Sequence, residues 1–202
     1  MGRPSIKEER RRQIALALMQ CMKRKSYFET TTKDIAEEAG LATGLIHYYF
    51  PTKDDVLYEM LELSDIHHVH SLELLQERMA TSKPVREVFY NAFLDYFRHY
   101  FSGDGREFCI FYTSIWTLNN FLPEVHTRLL RIHEYHKENR AKIFGIYNSD
   151  VFNADEFSRV LGIFMDGMTI RSTVEGYDEC DRMHLAKQFI NPWLPLIPED
   201  LP

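Results

Sequence analysis

The stretch LATGLIHYYFPTK, residues 41–53, holds the side chains whose chemistry most narrows this sequence. Thr43 offers a hydroxyl and a methyl, Gly44 a bare backbone, His47 an imidazole and Tyr48 a phenol. Such groups suit the edges of nucleic-acid bases and phosphate oxygens: a threonine methyl fits against thymine, and a phenol donates to phosphate. Lys53, just past Pro51, adds an ammonium for phosphate. A second constellation is DIHHVH, with Asp65, His67, His68 and His70. His67 and His70 are three apart, so one helix face could offer two ligands to a metal, and His133 and His136 repeat the spacing. Exposed histidines on a connecting helix are the expected reading, and no metal is assigned. Neither paired catalytic carboxylates, a nucleophile–base set nor a glycine-rich phosphate loop stands out. No catalytic residue and no cofactor is therefore expected. Cys21, Cys109 and Cys180 are widely spaced and odd in number, without a CxxC or zinc pattern, as suits reduced, buried thiols in a cytoplasm.

The elements that must position residues 43–53 are short helices. Ile14, Leu18, Cys21 and Met22 recur at helical spacing in a first helix over about Lys7–Lys25, with Arg10, Arg11, Arg12 and Lys23 facing elsewhere. In TTTKDIAEEAG, Thr31 and Asp34 form a capping box with Asp in place of the usual Glu, and Gly40 ends that helix in a left-handed conformation. After a turn of about three residues ATGLIHYYF begins another short helix, which Pro51 stops. Two short helices joined by a tight turn behind a longer one make a helix-turn-helix unit, and Ala36 and Ala39 let the pair cross closely. Ile46, Phe50 and Tyr49 can turn inward to give so small a unit a core. Thr43, Gly44, His47 and Tyr48 are then left facing out at the end of the helix that enters a major groove.

The segment TTTKDIAEEAGLATGLIHYYFPTKDDVL resembles the DNA-binding domain of the TetR family of transcriptional regulators over residues 7–60. Ser26 stands where the family usually has Gly, Ala42 where a capping Ser is frequent, and His47 where Tyr is commonest. The resemblance implies DNA contacts from Thr32, Thr43, Gly44, His47, Tyr48 and Lys53, with Arg3 as a minor-groove arm. Charge is distributed accordingly. Residues 1–53 hold 10 Lys+Arg against 6 Asp+Glu, and residues 54–202 hold 14 against 24, within a net charge of −6. A basic head on an acidic body directs only the head to a polyanion.

The rest of the chain is expected to be helical over about Asp54–Ala80, from after Pro84 to Phe101, then Arg106–Phe121, Pro123–Tyr147, Asp155–Glu175 and Asp181–Ile190. Gly103–Gly105 and Asn148–Asp150 read as loops, and NPWLPLIPEDLP as a proline-rich tail on the surface. Aromatic residues crowd two of these helices: Phe93, Tyr96, Phe111, Tyr112 and Trp116 are the expected lining of an apolar ligand cavity. The resemblance implies that this part encloses an inducer, and FMDGMTIRSTVEG is similar to the corresponding stretch of betaine/choline repressors. An aromatic cage could hold a quaternary ammonium, with Asp95, Asp166 or Glu107 as counter-charge. Phe157, Leu161, Phe164 and Met168, with Phe189, could form a four-helix interface of a homodimer, as the family does.

The sequence thus predicts an all-α protein: a three-helix DNA-binding domain over 1–53 and a ligand-binding and dimerisation domain over 54–202. Its start, MGRPSIKEERRR, is basic with no apolar run behind it, and no 18-residue apolar segment occurs, so a cytoplasmic protein without a membrane span is expected. The expected function is that of a repressor released from a palindromic operator on double-stranded DNA by a small apolar or cationic molecule. The competing readings are a helix-turn-helix regulator without an inducer and an enzyme in the helical body, for which no residue set argues.

Overall fold

The computed structural model describes residues 5–79, 85–101 and 105–199, and among these the chain is helical with no strand. The helices are α1 (Ile6–Met22), α2 (Thr32–Ala39), α3 (Thr43–Tyr49), α4 (Lys53–Met79), α5 (Val85–Tyr100), α6 (Gly105–Leu118), α7 (Pro123–Phe144), α8 (Ala154–Glu175) and α9 (Glu179–Ile190). Short 3-10 turns follow α7 (Gly145–Tyr147) and α9 (Leu194–Leu196). Arg3 lies outside the described residues, as do Ala80 and the side chains of Asp65, His67, His68 and Glu107.

Local chemistry sets the helix ends. Ser5 caps α1 reciprocally with Glu8: the Glu8 N–H donates to the Ser5 hydroxyl at 3.2 Å, and the Ser5 N–H to the Glu8 carboxylate at 2.7 Å. The helix stops three residues before the expected Lys25, because the run KRKS offers no apolar side chain to bury. Thr31 and Asp34 form the capping box of α2, and Gly40, at φ 64°, closes it with the Leu41 N–H donating to the Ala36 carbonyl at 2.9 Å. Thr52 and Asp55 cap α4 in the same way (Thr52 N–H to Asp55 at 2.9 Å, Asp55 N–H to Thr52 Oγ1 at 3.1 Å), which moves its start from the expected Asp54 to Lys53.

The chain divides into two compact units, and the division falls inside α4. The first unit runs to Ile66 and takes in Ile110–Arg128; the second holds His67–Cys109 and the chain from Leu129 onward. Within the first unit the Arg128 guanidinium pairs with Glu62 and with Glu124 (2.8 Å) and lies 4.9 Å from the Tyr58 ring. Phe28, between α1 and α2, meets Phe121 edge-on, with ring centroids 5.7 Å apart. These contacts bind residues 110–128 to the same unit as the head.

The second unit has an aromatic core. Phe89 packs against Phe144, Tyr147, Phe152 and Phe157 with centroids 5.2–5.8 Å apart. The proline-rich tail helps to seal it instead of only covering the surface. Trp193 stands edge-on to Phe157 at 4.9 Å and Ile197 is buried, since the apolar residues between the prolines have a core to enter.

Candidate nucleic-acid interface

The head is built to fix α3. Ile14, Leu18, Ile35, Ala36, Ile46 and Phe50 are at most 2% exposed and form its core. Arg11, read in the sequence as facing elsewhere, ties three helices together. Its guanidinium donates to the Tyr49 carbonyl at 2.9 Å, pairs with Glu59 at 2.6 Å and lies 4.1 Å from the Phe50 ring. Its spacing from Ile14 and Leu18, three and seven residues, places it on their face and is the signal that could have found it. Gln13 donates to the Ala39 carbonyl at 2.7 Å and joins α1 to the end of α2.

With Ile46 and Phe50 turned in, Thr43, Gly44, His47 and Tyr48 all face outward, and Tyr48 is 77% exposed. Tyr48 leans edge-on against the half-buried Tyr49 at 5.0 Å, which restricts its ring without covering the phenol. Gly44 is helical, and a Cβ built on it would meet nothing within 4 Å. The fold of the chain itself therefore does not require glycine there. Ala42 supplies no side-chain cap to α3. Ser26, by contrast, replaces glycine without strain: its N–H and hydroxyl donate to Glu29 (3.2 and 2.8 Å), and no described non-glycine residue has positive φ.

Thr32 begins α2 and is half-buried. Lys53 is engaged inside the head: its ammonium donates to the carbonyls of Tyr27 and Thr30, both at 2.9 Å, and lies 4.1 Å from the Tyr27 ring. Burial lowers its pKa. The Tyr27 phenol donates to Asp54, and burial, with that hydrogen bond, pushes its pKa well up. These contacts pin the turn before α2 to the start of α4, and leave one of the three Lys53 N–H donors unspent. Asp34 is held below the usual carboxylate range first by the Lys25 ammonium at 2.7 Å, then by the Thr31 hydroxyl and N–H.

The five expected cavity residues divide between the two units. Phe93 and Tyr96, in the second, are buried; Phe93 stacks between Phe97 (6.2 Å) and Phe189 (5.8 Å), and burial raises the pKa of the Tyr96 phenol against the pull of Arg140. Phe111, Tyr112 and Trp116 belong to the first, with Phe111 buried and the other two half-buried. Of the expected counter-charges, Asp95 pairs with Arg98 at 3.1 Å and Arg78 at 3.5 Å. Asp166 is pushed up to about 6 by burial, against the pull of Arg140. Phe157, Leu161 and Met168 are spent in the core of their own protomer, while Phe164 and Phe189 are partly exposed and stack at 4.3 Å. The large apolar side chains of α8 that remain outside are Ile163, Ile170 and Val174. No group of three His, Cys, Asp or Glu among the described residues is placed to hold a metal, and His70 contacts Glu73 at 3.5 Å. No helix among the described residues is long and apolar enough to cross a membrane.

Residues 14–60 match the profile of the bacterial regulatory proteins of the tetR family. The HTH-type transcriptional regulator HbdR of Aromatoleum sp. (strain CIB) is 35% identical over 85 residues, covering 42% of this chain and 36% of that protein. The chain thus matches only about a third of that relative's length. A TetR-family transcriptional regulator from Mesorhizobium loti shares the fold at a TM-score of 0.79 and 13% identity, over 96% of this chain and 98% of that one. A transcriptional regulator from Saccharomonospora viridis, solved in complex with choline, does so at a TM-score of 0.67 and 21% identity, over 93% and 96%. Residues 14–60 thus resemble the DNA-binding head of the tetR family of bacterial regulators, and the chain shares the fold of solved regulators of that kind.

Proposed function

We propose that the protein is a repressor that binds a palindromic site on double-stranded DNA as a homodimer and leaves it when a small molecule binds the helical body. The observation that carries the DNA-binding reading is the outward face of α3. A hydroxyl, a bare helical backbone, an imidazole and a phenol stand exposed on a helix whose inward residues are fully buried. Thr43 and His47 are assigned to base edges, where a good contact discriminates by about 1–3 kcal/mol. Tyr48 is assigned to phosphate, and Gly44 to close approach of the duplex. Lys53 positions the turn before α2 and offers its remaining N–H to phosphate. The homodimer face is assigned to the exposed Ile163, Ile170 and Val174 of α8, with the partly exposed Phe164 and Phe189 at its margin. Two recognition helices related by a two-fold axis read half-sites about 34–36 Å apart.

The choline bound in the Saccharomonospora viridis regulator supports a ligand-holding body on this fold. The close packing of Phe93 and Tyr96 favours a second reading, a regulator in which that cluster is core and holds no inducer.

Selection of duplexes from a random pool by the full chain tests the DNA assignment. Enrichment of a palindrome is expected, with affinity falling steeply as salt rises, because neutralised phosphates release counterions. Thr43→Ala and His47→Ala should change the selected sequence, while Tyr48→Ala and Lys53→Ala should weaken binding to every duplex. A pool that never enriches, or four variants that bind and select like the parent, would refute it.

A further inference from the structure

A cleft of about 480 Å³ lies between the second half of α4 and the end of α7, apart from the aromatic residues expected to line a cavity. Its volume falls within the range of small-molecule sites, about 300–1,000 Å³. The apolar part comes from Leu72 and Met79 on α4, from Ile143 at the end of α7 and from Ile146 in the 3-10 turn after it. Leu72 and Met79 are anchored in the core, at 5% and 4% exposure, so this floor is firm. Ile146 is 47% exposed, an aliphatic side chain left open to solvent at the rim.

The polar part holds one charge of each sign. Two charges line the cleft, Glu73 and Lys142. Glu73 has a neighbour of its own in His70, 3.5 Å away. Lys142 is exposed and forms no ion pair or hydrogen bond among the described residues. The charge without a neighbour is therefore a cation above an apolar floor, and the carboxylate across from it is the one that contacts His70. Gln76 supplies further amide donors beside it, while the Asn139 amide N–H is already given to the Tyr135 carbonyl at 2.7 Å.

We propose that the α4–α7 cleft binds an apolar monocarboxylate, with its hydrocarbon body on Leu72, Met79 and Ile143 and its carboxylate on Lys142. The site deepens the ligand-responsive reading by naming a place and a chemical class, and it rests on that reading only for its effect on DNA. Because α4 begins in the head and reaches this cleft, its occupant would grip the helix shared by both units.

Three probes with one tail and different head groups test the site on the full chain: decanoate, 1-decanol and decyltrimethylammonium, titrated calorimetrically below their micellar concentrations. An apolar cleft without a usable cation would take the alcohol best, since the alcohol loses least hydration. Decanoate is expected to bind about fivefold or more tighter than the alcohol, and the cation weakest, since charge-assisted hydrogen bonds exceed neutral ones. Lys142→Glu, at an exposed position, should leave the fold intact and reverse the order of decanoate and the cation. Ile146→Trp, also at an exposed position, should fill the cleft and weaken all three. Decanol binding as well as decanoate, an order of affinities unchanged by Lys142→Glu, or the absence of any binding would overturn the proposal. Decanoate that binds as expected, yet leaves affinity for the selected duplex unchanged, would uphold the site and refute release by ligand.

Discussion

Gly44 and Asp166 are the single residues that depart most from what the fold alone would choose. Glycine inside a helix costs about 0.5–1 kcal/mol relative to alanine, and a Cβ at Gly44 would meet nothing. Gly44→Ala should therefore raise the melting temperature of the protein while lowering its affinity for DNA; a variant that gains stability and binds DNA unchanged would show that no duplex approaches here. Asp166 carries the opposite burden, a carboxyl made costly to ionise. Its folded pKa of about 6 lies above the ordinary carboxylate value near 4, so the folded state holds the proton more tightly. Stability therefore falls as pH rises from about 4 to 6, and the penalty is complete above that, on the order of 3 kcal/mol. Asp166→Asn should melt higher than the parent at pH 7.5, with the advantage disappearing toward pH 4. A difference independent of pH would remove the burial explanation.

At the scale of elements, the first unit is joined by contacts that each helix could not make alone. Phe28 and Phe121 are 58% and 62% exposed yet meet edge-on, and Phe28 also meets the Tyr27 ring at 5.7 Å. The turn that carries Phe28 is held by the Tyr27 phenol on Asp54 and by the Lys53 ammonium on two carbonyls. Phe28→Ala and Phe121→Ala should therefore each destabilise the protein, and the double variant should cost less than their sum by about 0.5–1.5 kcal/mol. Denaturant melts of the four proteins measure this, and strict additivity would mean that the rings do not interact. Acid should act on the same region. The Asp34 pKa is lowered, so its contribution is present above the ordinary carboxylate range and is lost as pH falls below it.

At the scale of the whole molecule, the proposed homodimer requires one face of the chain to meet a second copy. Glutamate at Phe164 would break a stack within the protomer as well as any interface, so it cannot report on assembly. Ile163 and Val174 are 67% and 82% exposed and cover nothing in their own protomer. Ile163→Glu and Val174→Glu should leave the helical content and melting of the protomer intact, yet sediment as monomer, because a charge buried without a partner costs several kcal/mol. Affinity for a palindromic duplex should fall with assembly, each half-site then being bound alone. Variants that sediment like the parent would move the interface elsewhere.

Residues near one another in the chain made much of this protein legible without a structure. The Thr31–Asp34 box, Gly40 and the inward Ile46 and Phe50 all follow from helical spacing and capping, which act over three or four residues. So does the outward set of Thr43, Gly44, His47 and Tyr48, because once one face of α3 is claimed by the core, the other is determined. The tertiary structure decided what depends on partners distant in sequence. It turned Lys53 and Arg11 inward onto carbonyls and rings, and it spent Phe157, Leu161 and Met168 inside their own protomer. It also joined residues 110–128 to the head's unit and opened a cleft between α4 and α7. An apolar stripe at helical spacing states that it will be buried. Which surface buries it is settled by the packing of helices many residues apart, where side-chain volume and the last available hydrogen-bond donor select among arrangements that look alike along the chain.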